Sequence, residues 1–231
     1  MLGQLIFEER GGGRAERAQL YGLTVLRAGA DPEGWLGRRR LQKAGRALRR
    51  GGALRTLAPA GFQQWALLEN CGLISVNPLA FLRAQGAPLA LGALERQGLA
   101  PDRSAVTLRG ERVDRELTRA AVALCPQVRH LVIDAPRGGS ELAAWLRREF
   151  GIPVLPAGEP APVSLGFGPR EKAEPDGGEA GMRLSLYGAR PDLAGLTVTA
   201  PSLAREDQAQ LPLLAALWEE GRLPPEGIKI T

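Results

Sequence analysis

The sequence predicts an α/β protein: a parallel-sheet unit joined to a smaller N-terminal α/β lobe, with antiparallel strands added near the C-terminal end. Three observations predict it. Between Ser104 and Pro156, short apolar runs alternate with amphipathic helical stretches. Before Asn77 the same alternation of strand and helix occurs. After Leu155 the chain turns rich in Pro and Gly, and apolar residues alternate singly with polar ones. Apolar strands separated by amphipathic helices imply a parallel sheet covered on both faces, because each crossover helix must bury its stripe on the sheet.

The central stretch is the clearest. Ala105-Val106-Thr107-Leu108 is a β-branched, apolar run that ends at Gly110. Val113, Leu117, Ala120, Ala121 and Leu124 recur at helical spacing, and Pro126 stops that helix. Val128 to Asp134 reads as a second strand centred on Leu131-Val132-Ile133. Ser140 is expected to cap the next helix, with Glu141 at the positive end of its dipole. Leu142, Trp145, Leu146 and Phe150 give its buried stripe. Gly151 suits the left-handed residue after the helix, and Pro153 forbids continuation. Ile152 to Leu155 gives a third strand.

Residues 105–134 resemble the first βαβ unit of NAD(P)-binding Rossmann proteins, with a looser extension to Leu155. In that family a glycine triplet follows the first strand, for the tight turn, the pyrophosphate approach and close helix packing. The aligned segment here is Gly110-Glu111-Arg112-Val113-Asp114-Arg115, which keeps only the first glycine. Arg112 and Arg115 stand at the other two places. Asp134 stands at the end of the second strand, where the family keeps its ribose-binding acid. The resemblance implies a parallel Rossmann-like sheet unit with a degenerate cofactor fingerprint. NAD or NADP is the cofactor it would suggest, and no cofactor is the leading expectation.

In the N-terminal lobe, Gln4 to Glu8 and Gln19 to Leu26 read as strands, with a hairpin or turn at Gly11-Gly12-Gly13. A basic helix follows from about Gly34 to Arg50, ended by Gly51-Gly52. Ala53 to Leu57 reads as a strand, and Phe62, Trp65 and Leu68 line a helix ending near Gly72. Asn77-Pro78 is a helix start. Gly86 and Pro88 interrupt that segment, and Leu89 to Gln97 resumes it. These short helices suggest a connector, giving an expected division into an N-terminal lobe (1–76), a helical connector (77–100) and a Rossmann-like domain (101–231). A cleft between the halves would suit a ligand.

Farther on, Val163 to Phe167 reads as a strand, and Gly168 to Gly181 as a polar, mobile loop. Met182, Leu184 and Leu186, then Leu196, Val198 and Ala200, predict two strands pairing antiparallel across Gly188 to Gly195. Pro212 opens a helix carrying Leu213, Leu214, Leu217 and Trp218, closed by Gly221. Ile228-Lys229-Ile230 is strand-like. An edge strand at Met182–Leu186 could pair between copies, so self-association is one expected outcome.

A chain of 231 residues with 44% hydrophobic content buries a sizeable core. Aromatics are only 5%, so packing relies on Leu, Ala and Val. No apolar run approaches the roughly 20 residues that span a bilayer. Met1 to Glu9 has no basic stretch ahead of an apolar core, so it does not read as a signal peptide and a cytoplasmic location is expected. No membrane partner is expected. Cys71 and Cys125 read as buried thiols.

The net charge of +5 and pI near 9.8 raise the question of a polyanionic partner. Of 30 basic residues, 27 are Arg and 3 are Lys, which with the abundant Ala and Gly suggests GC-rich coding. The charge is nevertheless concentrated. Residues 1–60 hold twelve basic and five acidic side chains. Seven of the cations, Arg38, Arg39, Arg40, Lys43, Arg46, Arg49 and Arg50, cover a helix whose apolar stripe is only Leu41, Ala44 and Leu48. Such a face is either simply solvated or a contact for nucleic acid or another polyanion. A membrane-surface role is disfavoured because the apolar stripe lacks large aromatics.

Several chemistries are disfavoured. The chain has one histidine, His130, and two distant cysteines, too few soft ligands for a structural zinc or iron–sulfur site. His130 and Asp134 lie four apart on one strand, roughly 13 Å, so they form no dyad there. No phosphate-loop lysine motif and no nucleophile elbow occur. The residual candidate is Asp134-Ala135-Pro136-Arg137-Gly138-Gly139-Ser140-Glu141, at the carboxyl end of a parallel strand, where open α/β sheets collect ligands. Gly138 and Gly139 would free backbone N–H groups, Arg137 would add charge and Ser140 a hydroxyl, which suits a carboxylate or phosphate. Asp134 and Glu141 oppose a multiply charged anion.

Three function classes stand at this point. The first is a noncatalytic or regulatory protein with dehydrogenase-like architecture that binds a partner or small metabolite. The second is an enzyme that holds a nucleotide or anionic substrate in a nonstandard pose through Gly110, Asp134, Arg137, Gly138, Gly139 and Ser140. The third binds nucleic acid through the basic helix.

Overall fold

The computed structural model describes residues 1–9, 14–169 and 181–231. The expected turn at Gly11–Gly13 lies outside these residues, as does most of the expected loop at 168–181. The chain forms two compact units, Met1–Pro78 with Thr199–Lys229, and Leu79–Val198 with Ile230–Thr231.

The first unit opens with β1 (Leu2–Phe7), β2 (Ala15–Leu20) and β3 (Leu23–Ala30), then α1 (Gly37–Arg50), β4 (Arg55–Leu57), α2 (Trp65–Glu69) and β5 (Ile74–Ser75). Its sheet has the order β2-β3-β1-β4-β5, parallel except for β2 against β3. β1 and β2 are not neighbours in this sheet, and the hairpin joins β2 to β3. The stretch from Gln19 to Leu26 is broken by Tyr21-Gly22, with Leu20 facing Leu23 across the turn. Both turn residues have positive φ, 48° and 83°. A two-residue hairpin needs that conformation to match strand twist, and Gly22 supplies it without strain while Tyr21 does not. β3 is buried at Leu23, Val25, Leu26, Ala28 and Ala30, a near-continuous apolar run suited to an interior strand.

Helix α1 follows the sequence expectation closely. Leu41, Ala44 and Leu48 are fully buried and join Leu5, Leu26, Ala28, Leu68 and Leu73 in one core cluster. At Gly45 an added Cβ would come within 3.1 Å of the Leu68 side chain and 3.2 Å of Cys71 Sγ, so glycine permits the close approach of α2. Phe62 precedes α2 rather than belonging to it, and packs edge-on against Trp65 with ring centroids 5.3 Å apart.

The second unit begins with α3 (Leu79–Ala84) and α4 (Gly86–Arg96). Gly86 and Pro88 do not interrupt the helical segment; they form the first turn of α4, and the break falls at Gln85. Proline is tolerated in a first turn because its missing N–H has no helical partner there. An added Cβ at Gly86 would meet the Phe167 ring at 3.0 Å and Ala120 at 3.3 Å.

The parallel sheet follows, with β6 (Ala105–Arg109), α5 (Arg115–Leu124), β7 (His130–Asp134), α6 (Gly139–Phe150), β8 (Val154–Leu155), β9 (Val163–Gly166) and β10 (Met182–Ser185). The sheet order is β8-β7-β6-β9-β10, with every neighbouring pair parallel. Numbered within the unit this is 3-2-1-4-5, the order of doubly wound dinucleotide-binding sheets, and it reverses between β6 and β9. Val113 lies before α5, which Asp114 caps by accepting the Leu117 N–H at 2.9 Å. Gly151 takes the left-handed conformation after α6, with φ 65°.

The C-terminal strands pair otherwise than expected. β10 joins β9 in parallel, and Met182–Ser185 forms no ladder with the residues around Val198. Only an isolated antiparallel bridge, Ser185 to Asp192, remains of that hairpin. β11 (Val198–Thr199) instead pairs with β12 (Lys229–Ile230) as a small antiparallel ribbon. The alternating pattern of Met182, Leu184 and Leu186 reports a half-buried strand but not its partner. Between these strands α7 (Leu211–Glu219) buries Leu213, Leu214, Ala215, Ala216 and Leu217. Within the first unit Glu219 pairs with Arg55 at 2.6 Å, and Tyr21 donates to Asp207 Oδ2 at 2.7 Å. Among the described residues no helix is long and apolar enough to cross a membrane.

Candidate functional site

The carboxyl end of the second unit's parallel sheet gathers Gly110, Asp134, Arg137, Gly138 and Gly139, as the sequence suggested. The register of β6 on β7 sets Arg109 directly opposite Asp134. Arg109 Nε lies 3.3 Å from Asp134 Oδ2, and the two side chains are 20% and 9% exposed. A carboxylate this buried requires a countercharge, because a lone ion in a low-dielectric interior is costly. Asp134 is therefore engaged by its neighbour on β6.

The segment aligned with the glycine-rich loop is also engaged. Gly110 donates its N–H to the Asp134 carbonyl at 3.1 Å. Val113 donates to the Arg137 carbonyl at 2.9 Å, and Arg112 and Arg137 form a parallel bridge. Across the same junction Arg137 Nη1 pairs with Glu111 Oε1 at 3.1 Å, in a more exposed setting. The loop after β6 is thus stitched to the loop after β7 by backbone and side chain together. Arg112 and Arg115 are both exposed.

At the strand-order reversal, Phe167 donates its N–H to the Arg109 carbonyl at 2.7 Å, holding the ends of β6 and β9 together. Its side chain is buried, and the Arg83 guanidinium lies 5.7 Å from the ring centroid. Arg83 also pairs with Asp114. Arg83, Arg109, Glu111, Asp114 and Phe167 were not among the sequence candidates. A signal existed for one: Arg109 ends a strand parallel to the one that Asp134 ends.

Helix α6 begins two residues earlier than the Ser140 cap predicted. Gly138 occupies the cap position with φ 83°, and no side chain caps the helix. A left-handed turn at Gly138 brings the chain over Val113, 3.4 Å from where a Cβ would stand. Ser140 lies inside the first turn and donates its hydroxyl to Glu141 Oε2 at 2.9 Å. The Glu141 carboxylate accepts its own backbone N–H and this hydroxyl, which hold its pKa below the usual glutamate range. A negative group of the chain itself therefore stands at the positive end of α6.

The seven cations of α1 separate into different roles. Arg40 pairs with Asp31. Arg49 lies against Gly72, its Nε 3.1 Å from where a Cβ would stand. Arg38 is exposed. Arg39, Lys43, Arg46 and Arg50, with Gln42 and Ala47, line an open concavity of about 430 Å³. None of these four cations makes an ion pair with another of the described residues.

Other reactive groups have structural surroundings. Cys125 is buried, and burial pushes its thiol pKa up; Cys71 is partly buried and donates to the Leu67 carbonyl at 3.3 Å. His130 opens β7, at the strand end opposite the candidate crevice. No group of three or more His, Cys, Asp or Glu among the described residues could hold a metal.

No family model and no curated protein matches this chain. Among solved structures, it is similar to the L-tryptophan dehydrogenase of Nostoc punctiforme, with 14% identity and a TM-score of 0.30, over 62% of this chain and 43% of that one. The chain thus spans less than half of that dehydrogenase. The aspartate transcarbamoylase catalytic subunit of M. Jannaschii is 12% identical, with a TM-score of 0.38, over 95% of this chain and 85% of that one. The aspartate transcarbamoylase of Trypanosoma cruzi, in complex with carbamoyl aspartate and phosphate, gives 12% and 0.36, over 94% and 82%.

Proposed function

We propose that this chain is a noncatalytic, regulatory or binding protein that keeps a dehydrogenase-like sheet and has converted its cofactor crevice into structure. The observation that carries the reading is the Arg109–Asp134 pair, at 3.3 Å and largely buried. A ribose would have to compete with that guanidinium for the carboxylate. The bridge between Arg112 and Arg137 adds to it, since the phosphate-cradling turn of the family needs backbone free to approach a ligand. Asp114 at the cap of α5 and Glu116 in its first turn repel a pyrophosphate from the helix terminus that the family uses. The residues present do not fit a dinucleotide in the usual pose, and no catalytic step is assigned through one. The protein then acts by binding a partner or small metabolite elsewhere on its surface.

The test is a thermal-melt series with NAD, NADP, FAD, S-adenosylmethionine, ATP and phosphate. A ligand at a hundred times its dissociation constant stabilises by about 2.7 kcal/mol. No shift is expected with any of them. A shift with NAD or NADP that disappears in Asp134→Asn would overturn the reading and return Asp134 to a ribose-binding role.

A further inference from the structure

From the outer face of α1 we infer a docking surface for single-stranded nucleic acid, formed by Arg39, Lys43, Arg46 and Arg50 with Trp35 at its N-terminal end. The helical period places the four cations within about 60° of arc, at spacings of four, three and four residues. The stripe runs about 16 Å along the helix axis, with successive cations separated by about 4.5 to 6 Å of rise. Long cations without an ion-pair partner among the described residues, around an open concavity, are suited to a flexible chain of phosphates, which a single strand can adjust to meet.

Trp35 is the independent observation. It is 90% exposed, the most exposed of the large hydrophobic side chains among the described residues. It sits two residues before the start of α1, in the turn closed by the Gly37 N–H on the Gly34 carbonyl. Carried back four residues from Arg39, the stripe's spacing arrives at Trp35. An indole in water beside a row of cations provides what single-strand binding requires, a stacking platform next to an electrostatic track. A stacked duplex has no free base face for it, so the surface favours single strands.

The same features argue against a membrane. An interfacial helix needs a free apolar face, and that of α1 is spent on the core: Leu41, Ala44 and Leu48 are fully buried. What remains outward is charge and one indole. Arg40 is engaged by Asp31, and Arg38 and Arg49 flank the buried side, so the inference rests on four cations rather than seven.

The experiment is fluorescence anisotropy of the full chain with labelled oligodeoxythymidylate across a salt series. Binding should weaken with a log–log salt slope of about −2.8, for four phosphates at about −0.7 each. Lys43→Ala and Arg46→Ala should each bring the slope closer to zero by about 0.7. Trp35→Ala should weaken binding roughly fivefold to a hundredfold while leaving the slope unchanged. The Arg38→Ala/Arg49→Ala double variant removes two charges off the face, twice that of either single variant, and should bind nearly as the parent does. These side chains are exposed, and a melt of each variant checks that it folds. No binding at low salt overturns the inference. So does equal loss in the Arg38/Arg49 control, which would indicate net charge alone. Tighter binding to phosphatidylserine vesicles than to the oligonucleotide would also overturn it, in favour of a lipid surface.

Discussion

The molecule carries two concentrations of charge, and they are organised in opposite ways. At the carboxyl end of the parallel sheet in the second unit, cations and carboxylates neutralise each other: Arg109 with Asp134, Arg137 with Glu111, Arg83 with Asp114. On α1, four cations stand together without an acidic partner among the described residues. The first arrangement is largely paired within the chain; the second is not paired among the described residues. Internal pairing reduces what charge can offer a ligand, whereas unpaired surface charge remains available to an outside partner. On the proposed reading, the crevice at the sheet end is the weaker place for a ligand and the outer face of α1 the stronger.

The sharpest way to break this contrast is at Asp134. Asp134→Leu should destabilise the protein by about 3 kcal/mol, because it leaves Arg109 largely buried without its carboxylate. Urea denaturation measures it. Adding Arg109→Leu to that variant should recover much of the loss, since replacing both charges removes the uncompensated one. If the single variant is as stable as the parent, the pair is not structural and the crevice reading weakens.

A smaller effect is expected at Asp114. Asp114→Ala removes the α5 cap and the partner of Arg83 together and should cost about 2 kcal/mol. Asp114→Asn keeps a capping oxygen and should recover about half of this, separating cap from ion pair in the same denaturation assay.

On α1 the expected effect on stability is close to nothing. Lys43→Ala or Arg46→Ala should change stability by less than about 0.5 kcal/mol, as for exposed side chains without an ion-pair partner among the described residues. A loss comparable to that at Asp134 would erase the distinction between the two regions.

The finest test is a titration. The Glu141 pKa is held low by its own backbone N–H and the Ser140 hydroxyl. A depressed carboxyl pKa contributes stability above the unfolded-state value, and this contribution fades as pH falls through the folded value. Ser140→Ala should move the Glu141 pKa upward towards the ordinary range, read by NMR of the side-chain carboxyl carbon. Added phosphate should leave it unchanged in the parent protein, because the carboxylate itself stands at the helix terminus.

Much of the second unit was legible in the sequence because its signals are local. Ala105–Leu108 and Leu131–Ile133 are strand-forming runs whatever surrounds them, and the stripes of α5 and α6 have helical period. The gathering of Gly110, Asp134, Arg137, Gly138 and Gly139 at one sheet end also followed, since successive parallel strands bring their carboxyl ends together. What escaped was pairing. The alternation at Met182–Leu186 is equally compatible with a parallel or antiparallel neighbour, and its partner proved to be β9. Tyr21-Gly22 was hidden inside an apolar stretch because a tyrosine with positive φ is not a common turn residue.

The sequence by itself determined the α/β class, the basic helix with its narrow apolar stripe, and the weakened glycine fingerprint. These depend on residue type and period, which act over one or two turns of chain. Only the tertiary structure decided that Arg109 faces Asp134, that Gly138 rather than Ser140 takes the cap position of α6, and which four of seven cations share one open face. Each of those depends on register, on a cap or on a neighbour distant in sequence. The free energy that selects among such contacts comes from burying charge and apolar surface together, which only the assembled fold can do.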